Sequence, residues 1–436
     1  MKRLLLCFIL LLSTILLFGC SPKKEKPMPE PQIKVMQKSE SLNLNVYLDG
    51  TYSMAGYVNY PSATVYTDAI KEIERTAASV WKDEKIQYFR FGDELKKLSR
   101  EQFLAFDKTT FYNQNDTSLQ KMVDAIDDSA VSVIITDLFQ TNQDIESLLS
   151  SLKKKSFADQ EKALAVIGFK SQFKGRIYDI GKNRINFDYE TGKSNDSYRP
   201  FYFLIIGRED DVRTLVLKYQ DNFNAGDVKS VIFARNLGLN NYLTQDKNTK
   251  SNKEAKEAVM AKINALVKNN QVLQYRLKLD EANSRANLRM NTKYLIGKLP
   301  DEYELIVQSI DKWDNNSFQK VENKGFCSAE IKTVDKHGDT ADLTMTLHVK
   351  PLGINKREGK YRVDLAFIPT QKVYLESVLE FNEWNFLDSE INSENLQQFG
   401  SKTLNISPFI KMLGNLNYEI NKPGFYNLTI YFEAKK

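Results

Sequence analysis

The chain has 436 residues, 42% of them hydrophobic, and 61 Lys and Arg against 56 Asp and Glu, for a formal net charge of +5. Without Lys2 and Arg3 the balance is 59 basic against 56 acidic residues, or +3, so no polyanion partner such as a nucleic acid is indicated. The length predicts two or three domains with sizeable cores.

The first 20 residues have the pattern of an export signal. Lys2 and Arg3 precede an apolar run over residues 4–18, and Leu17-Phe18-Gly19-Cys20 closes it. This quartet resembles a bacterial lipobox, which implies that Cys20 is lipidated and becomes the mature N-terminus. A plain transmembrane anchor is the alternative, but about 15 apolar residues are fewer than the ~20 that a spanning helix needs. Residues 21–40, rich in Pro, Lys and Glu, predict a flexible stalk.

Residues 41–223 alternate strand and helix patterns, which predicts an α/β domain with a mostly parallel sheet flanked by helices. The predicted strands are 42–48, 86–91, 131–136, 163–169 and 201–206, and the predicted helices are 63–81, 117–126, 145–154 and 210–223. The run 131–136 is almost continuously apolar, as is typical of a strand buried on both faces. Residues 171–195 predict a β-hairpin or excursion between core elements.

Residues 224–270 form a connecting region that gives few signals. From residue 271 to 436 alternating patterns dominate, with strands predicted at 275–279, 340–349, 361–368 and 425–432. We therefore expect a β-rich C-terminal region, sandwich-like in architecture.

Oxygen-bearing side chains follow the first predicted strand at alternate positions. Asp49, Thr51 and Ser53 lie in the stretch Asp-Gly-Thr-Tyr-Ser-Met, where the strand 42–48 ends. A carboxylate and two hydroxyls can turn three oxygen atoms toward one point, and Mg²⁺ prefers oxygen ligands. This stretch resembles the von Willebrand factor type A (VWA) family, whose metal-ion-dependent adhesion site (MIDAS) begins with Asp-x-Ser-x-Ser. Thr51 keeps the hydroxyl of the middle position.

Two later segments match the other elements of that family. Asn115-Asp116-Thr117-Ser118-Leu119 matches its second loop, and Ile134-Ile135-Thr136-Asp137 matches its Asp after a hydrophobic strand. The resemblance implies a VWA/Rossmann-like fold and a site for Mg²⁺ (or Mn²⁺ or Ca²⁺). Its ligand set would be Asp49, Thr51, Ser53, Thr117 and Asp137, with Ser53 and Thr117 as direct ligands and the aspartates acting partly through water.

Each piece also has a purely structural interpretation. Asp49-Gly50 is a common turn dipeptide, Asp116 or Thr117 can cap the helix that follows, and Asp137 can cap the loop before residue 145. Their order and their positions at strand ends favour the metal site, since ligands of such sheets lie beyond the carboxyl ends of the strands.

The sequence has few of the residue combinations that are typical of catalytic sites, and we expect no enzymatic activity. A haloacid dehalogenase phosphatase also uses Asp-Gly-Thr, but it needs an Asp at the position held by Tyr47. The two histidines, His337 and His348, lie together in the C-terminal region, and Cys327 is a single thiol, so Ser-His-Asp and zinc-thiolate sites are not indicated.

The sequence therefore predicts a lipid-anchored protein on the extracytoplasmic face of the cell membrane or envelope. Its VWA-like domain would bind a protein ligand, through an acidic residue of that ligand, in adhesion or envelope assembly. Two alternatives stay open: a solute-binding lipoprotein of a membrane transporter, and a scaffold or assembly factor that works without metal.

Overall fold

The computed structural model describes most of the chain from residue 39 onward. The described ranges are 39–138, 145–158, 161–180, 184–223, 228–234, 243–244, 273–278, 284–293, 303–314, 317–322, 325, 327–337, 340–349, 359–369, 381–391, 394–421 and 426–435. The expected export signal with Cys20, and the stalk as far as residue 38, lie outside these ranges. Within them, no helix combines the length and the apolar character needed to cross a membrane.

A seven-stranded sheet organises the first half of the chain. Its strands, together with a separate hairpin, are β1 Ser41–Asp49, β2 Asp83–Phe91, β3 Lys96–Leu98, β4 Val131–Thr136, β5 Lys162–Ser171, β6 Lys174–Ile180, β7 Ile185–Glu190, β8 Arg199–Arg208 and β9 Val228–Ala234. The sheet has the order β3-β2-β1-β4-β8-β5-β9, and β6 pairs with β7. Strands β1, β2, β4 and β5 run one way, and β3, β8 and β9 run the other.

The sheet is thus mixed, and the expected α/β class is present. The strand predicted at residues 201–206 pairs antiparallel with both β4 and β5. It thereby separates two strands that share a direction. An apolar run shows that a strand is buried but carries no signal of its direction, which is why the sequence pattern did not predict this insertion.

Helices cover both faces of this sheet. They are α1 Val65–Val80, α2 Arg100–Phe103, α3 Leu119–Ala125, α4 Ile145–Leu152 and α5 Glu209–Asn222. All six residues of β4 are buried, with Val133 and Ile135 in one core and Ile134 in the other. The first core contains residues of α1 and α5, and the second contains residues of α3 and α4. The near-continuous apolar pattern of β4 therefore reflects burial on two sides.

The α/β unit includes more of the chain than residues 41–223. Strand β9 adds to the sheet beyond residue 223, and residues 381–391 and 394–421, here called the return segment, pack back onto it. The return segment contains β18 Asn385–Phe386, α6 Leu396–Phe399, β19 Thr403–Leu404 and α7 Ile406–Asn421. Its Phe386 and Phe399 lie in the first core, and Phe381 and Ile410 lie in the second. The predicted β-rich region, residues 271–436, thus contains a segment that belongs to the α/β unit. Sequence patterns did not show this, because these contacts span more than 150 residues.

The remaining strands form two further sheets. They are β10 Leu243–Thr244, β11 Leu273–Lys278, β12 Ser284–Lys293, β13 Tyr303–Asp314, β14 Ser317–Lys320, β15 Cys327–His337, β16 Thr340–Val349, β17 Gly359–Pro369 and β20 Tyr426–Lys435. The orders are β10-β12-β16-β15 and β11-β20-β17-β13-β14, all antiparallel except β11 with β20. Strands β13 and β15 bring the two sheets into contact. The expected β-rich region is therefore present.

Packing at Gly400 tests whether the return segment belongs to the α/β unit. A Cβ at Gly400 would lie 2.1 Å from Tyr189 Cδ2, whereas one at Gly192 would meet nothing nearer than Ser197 Oγ at 3.4 Å. We expect Gly400→Ala to lower the free energy of unfolding by about 1–3 kcal/mol, because the close-packed ring must move. Gly192→Ala is the control, and thermal unfolding is the measurement. Equal stability of the two variants would contradict the packing described here.

Candidate metal centre

The centre of the site is the carboxylate of Asp49, the last residue of β1. Asp49 is 0% exposed. Its Oδ1 accepts a hydrogen bond from the backbone N–H of Thr51 at 3.0 Å and another from the Thr51 hydroxyl at 2.7 Å. Because the central strand β1 fixes its last residue, these two bonds orient Thr51 as well.

Two further hydroxyls adjoin Thr51. Its Oγ1 lies 3.1 Å from Ser53 Oγ and 3.3 Å from Thr117 Oγ1, and Thr117 Oγ1 is 3.5 Å from Asp49 Oδ2. The structure therefore brings together Asp49, Thr51, Ser53 and Thr117, although Thr117 is 68 positions beyond Asp49. The Thr117 hydroxyl is directed to this group, and Ser118, not Thr117, is the N-cap of α3.

Backbone pairing fixes the loop that carries Thr117. The Gln114 N–H donates to Gly50 O at 3.1 Å, and the Tyr52 N–H donates to Gln114 O at 3.0 Å. The carboxylate of Asp93, in the turn after β2, accepts hydrogen bonds from backbone N–H groups at 115 and 116, at 3.2 and 2.9 Å. These bonds hold the loop at residues 114–116 against the loop after β1 and the turn after β2. Main-chain hydrogen bonds therefore bring Thr117 close to Thr51.

Asp137 follows β4 directly and is 2% exposed. Its Oδ2 lies 3.8 Å from Nη2 of Arg199, the first residue of β8. The charge of Asp137 also helps to raise the pKa of the Asp49 carboxyl. The fifth predicted residue thus acts on Asp49 through its charge and has a guanidinium as an ion-pair partner.

Sequence reasoning missed two members of this site. Thr136 Oγ1 donates to Asp49 Oδ2 at 2.9 Å and accepts from the Leu138 N–H at 3.2 Å. Its signal was its place at the end of β4, next to the strand that carries Asp49. Arg199 had no such signal, because it begins a strand 62 positions after Asp137 in the sequence.

The backbone is strained directly beside Asp137. Leu138 has φ of 60°, in the left-handed region that non-glycine residues seldom adopt. Its N–H bond to Thr136 Oγ1 accompanies this conformation. Strain of this kind costs about 1–3 kcal/mol and tends to occur at functional sites, where the surrounding structure holds it in place.

Burial dominates the electrostatics of Asp49. Loss of solvation raises the pKa of its carboxyl to about 7, and the nearby charge of Asp137 acts in the same direction. Hydrogen bonds from Thr51 and Thr136 favour the ionised form and oppose part of this rise. A bound cation would favour the ionised form of Asp49 and so oppose this rise in its pKa.

The oxygen spacing suits a small octahedral cation. At Mg²⁺–O distances of 2.0–2.1 Å, neighbouring ligand oxygens lie about 2.9 Å apart. The separations of Thr51 Oγ1 from Ser53 Oγ and Thr117 Oγ1, 3.1 and 3.3 Å, are close to that edge length. Thr51 and Thr117 are buried, Ser53 is partly exposed, and Tyr52 is 47% exposed. The cluster therefore has a buried floor with Ser53 and Tyr52 at its rim.

Other metal-binding side chains do not gather in the described ranges. These ranges contain no group of three or more His, Cys, Asp or Glu residues arranged to hold a metal ion. His348 Nε2 lies 3.0 Å from Glu330 Oε1 in the β-rich region. Cys327 is buried there too, and burial raises the pKa of its thiol to about 12. The candidate centre thus relies on hydroxyls and two carboxylates.

Comparisons with known proteins do not assign the chain to a family. No family model matches the chain, and no curated protein matches it. Among solved structures, the CupB6 tip adhesin from Pseudomonas aeruginosa aligns with 8% identity over 63% of this chain and 85% of its own, at a TM-score of 0.14. A TM-score this low shows no shared fold and carries no argument about function.

The raised pKa of Asp49 predicts an unusual pH dependence of stability in chelator. The folded protein keeps the Asp49 proton up to about pH 7, whereas the unfolded carboxyl releases it near its ordinary value of 3.8. The folded state thus binds the extra proton between these values, so stability falls as pH rises through this window, by up to about 1.4 kcal/mol per pH unit from this group.

Urea unfolding in EDTA between pH 4 and pH 8 measures this slope, with Asp49→Asn as the matched control. The variant cannot ionise at this position and should lose that part of the slope. An unchanged slope in Asp49→Asn would show that another group is responsible.

Proposed function

We propose that the α/β unit is a VWA-type domain whose hydroxyl and carboxylate cluster holds a divalent cation, with Mg²⁺ as the best match. The observation that carries this proposal is the position of Thr51 Oγ1, which lies within 3.3 Å of oxygens from Asp49, Ser53 and Thr117. Four oxygens from two distant segments converge, and three of them are neutral hydroxyls.

The residues divide into two roles in this proposal. The hydroxyls of Thr51, Ser53 and Thr117 face one another and would hold the cation. Asp49 accepts hydrogen bonds from Thr51 and Thr136, so it orients hydroxyls and contributes charge, and Asp137 adds the second carboxylate. When bound, the cation would supply an electron-poor position that a carboxylate oxygen of a ligand can complete.

The ligand proposed for this position is a protein with an accessible Asp or Glu side chain. Ser53 and the exposed Tyr52 at the rim are the groups that such a ligand would meet first. No described residue near the cluster is a histidine or a cysteine, and the proposed role is binding rather than catalysis. The sequence features of residues 1–40 support a lipid-anchored protein on the extracytoplasmic side of the cell envelope, acting in adhesion or envelope assembly.

Metal binding is tested by replacing Thr117. Isothermal titration calorimetry of the full-length protein in detergent with Mg²⁺ and Mn²⁺ should give one site. We expect Thr117→Val to weaken it at least about tenfold, because the isosteric side chain lacks the hydroxyl. Ser118→Ala is the matched control, since Ser118 is adjacent and its side chain makes no capping bond. Equal affinity in both variants would remove Thr117 from the ligand set.

Ligand chemistry is tested with an array of short peptides containing Asp or Glu, each paired with its Asn or Gln counterpart. We expect binding of acidic peptides in Mg²⁺, loss of that binding in EDTA, and no binding of the amide counterparts. Binding that persists in EDTA would favour the metal-independent scaffold. A thermal shift with small solutes, and none with metal, would favour the solute-binding alternative.

A further inference from the structure

A buried guanidinium lies between the candidate metal centre and the return segment. Arg199 is 6% exposed. Its Nη1 donates to the backbone carbonyls of Gly400 at 3.2 Å and Lys402 at 3.4 Å, while Nη2 lies 3.8 Å from Asp137 Oδ2. The guanidinium carbon is 5.4 Å from the centre of the Phe173 ring. A buried charge needs compensating partners, and Arg199 obtains them from two regions about 260 residues apart.

The return segment is itself fixed where it meets Arg199. Gly400 packs so closely on Tyr189 that no Cβ fits, and the Tyr202 hydroxyl donates to Thr403 Oγ1 at 2.9 Å. The carbonyls that accept from Arg199 are therefore held by contacts that do not involve the guanidinium. They define where Nη1 lies, and the planar geometry of the side chain then directs Nη2 toward Asp137.

Arg199 changes the net charge of the site, with and without a bound cation. Asp49 and Asp137 are both buried at the site. When both are ionised, one guanidinium leaves a net charge of −1. A divalent cation would raise it to +1, and a single carboxylate from a ligand would bring it to zero. Arg199 thus relieves the repulsion between the carboxylates before a cation arrives and opposes the cation afterwards.

We propose that Arg199 is a positioning residue of the metal centre: the carbonyls of Gly400 and Lys402 hold its guanidinium against Asp137, where it is the internal counter-cation of the two buried carboxylates. Its effect on metal affinity rests on the proposed function, whereas its pairing with Asp137 does not. The return segment therefore contributes to the site without touching the cation.

The first experiment compares thermal unfolding of Arg199→Met in EDTA and in saturating Mg²⁺. We expect Tm to fall by at least about 5 °C in EDTA and by clearly less in Mg²⁺, because the metal supplies the missing positive charge. Calorimetric Mg²⁺ affinity should rise about tenfold, since a repelling charge is gone. Arg199→Lys keeps the charge but lacks the planar fork, so its affinity should change less than that of Arg199→Met.

Thr403→Val is the matched control for the return segment. It removes the hydrogen bond to Tyr202 but no charge, so it should lower Tm equally with and without Mg²⁺. If Arg199→Met also lowers Tm equally in the two conditions, Arg199 has only a packing role. If it weakens Mg²⁺ binding, Arg199 is not a repelling counter-charge, and either result overturns the proposal.

The second experiment does not depend on metal. Adding Asp137→Asn to Arg199→Met should raise Tm in EDTA by several degrees above that of the single variant, because it removes the carboxylate left without its counter-charge. No recovery would refute the pairing. If the original protein shows no Mg²⁺ effect, the proposed function fails, while this comparison still decides the role of Arg199.

Discussion

Burial of the Asp49 carboxylate is the constraint on which the rest of the site depends. Strand β1 carries it into a position of 0% exposure between two cores, where an ionised group is costly unless it is hydrogen-bonded and compensated. The surrounding loops supply these partners: hydroxyls from Thr51, Thr117 and Thr136, and one backbone N–H. Thr51 and Thr117 both bond Asp49 and belong to the oxygen cluster, so the burial of Asp49 and the composition of the site are linked.

The α/β unit is not one continuous stretch of sequence. The return segment closes both cores and reaches the site through Arg199. Ion pairs and ring contacts also join the two parts away from the site, since Lys229 lies 3.0 Å from Glu383 and its ammonium lies 5.0 Å from the Trp384 ring centre. The chain thus passes between the α/β unit and the β-rich strands three times, after β9 and at each end of the return segment.

The role proposed for this cluster is binding rather than bond cleavage. Hydroxyl ligands are neutral and would leave a bound cation with most of its charge, and the two carboxylates, Asp49 and Asp137, are both buried. Tyr52 at the rim adds an exposed aromatic surface next to the proposed coordination position. Aromatic side chains with a polar tip are common contributors to protein interfaces, which fits the proposed protein ligand.

The sequence by itself determined the α/β class and the ends of β1 and β4, because these follow from local periodicity. The grouping of Asp49, Thr51, Ser53 and Thr117 was implied by the resemblance of three sequence segments to the VWA family. Tertiary structure alone decided the antiparallel direction of β8, the membership of β9 and the return segment in the α/β unit, and the contacts of Thr136 and Arg199. Those features arise from contacts between residues up to about 200 positions apart, such as Arg199 with Gly400. Side chains that meet only after the chain has folded leave no periodic pattern in the sequence.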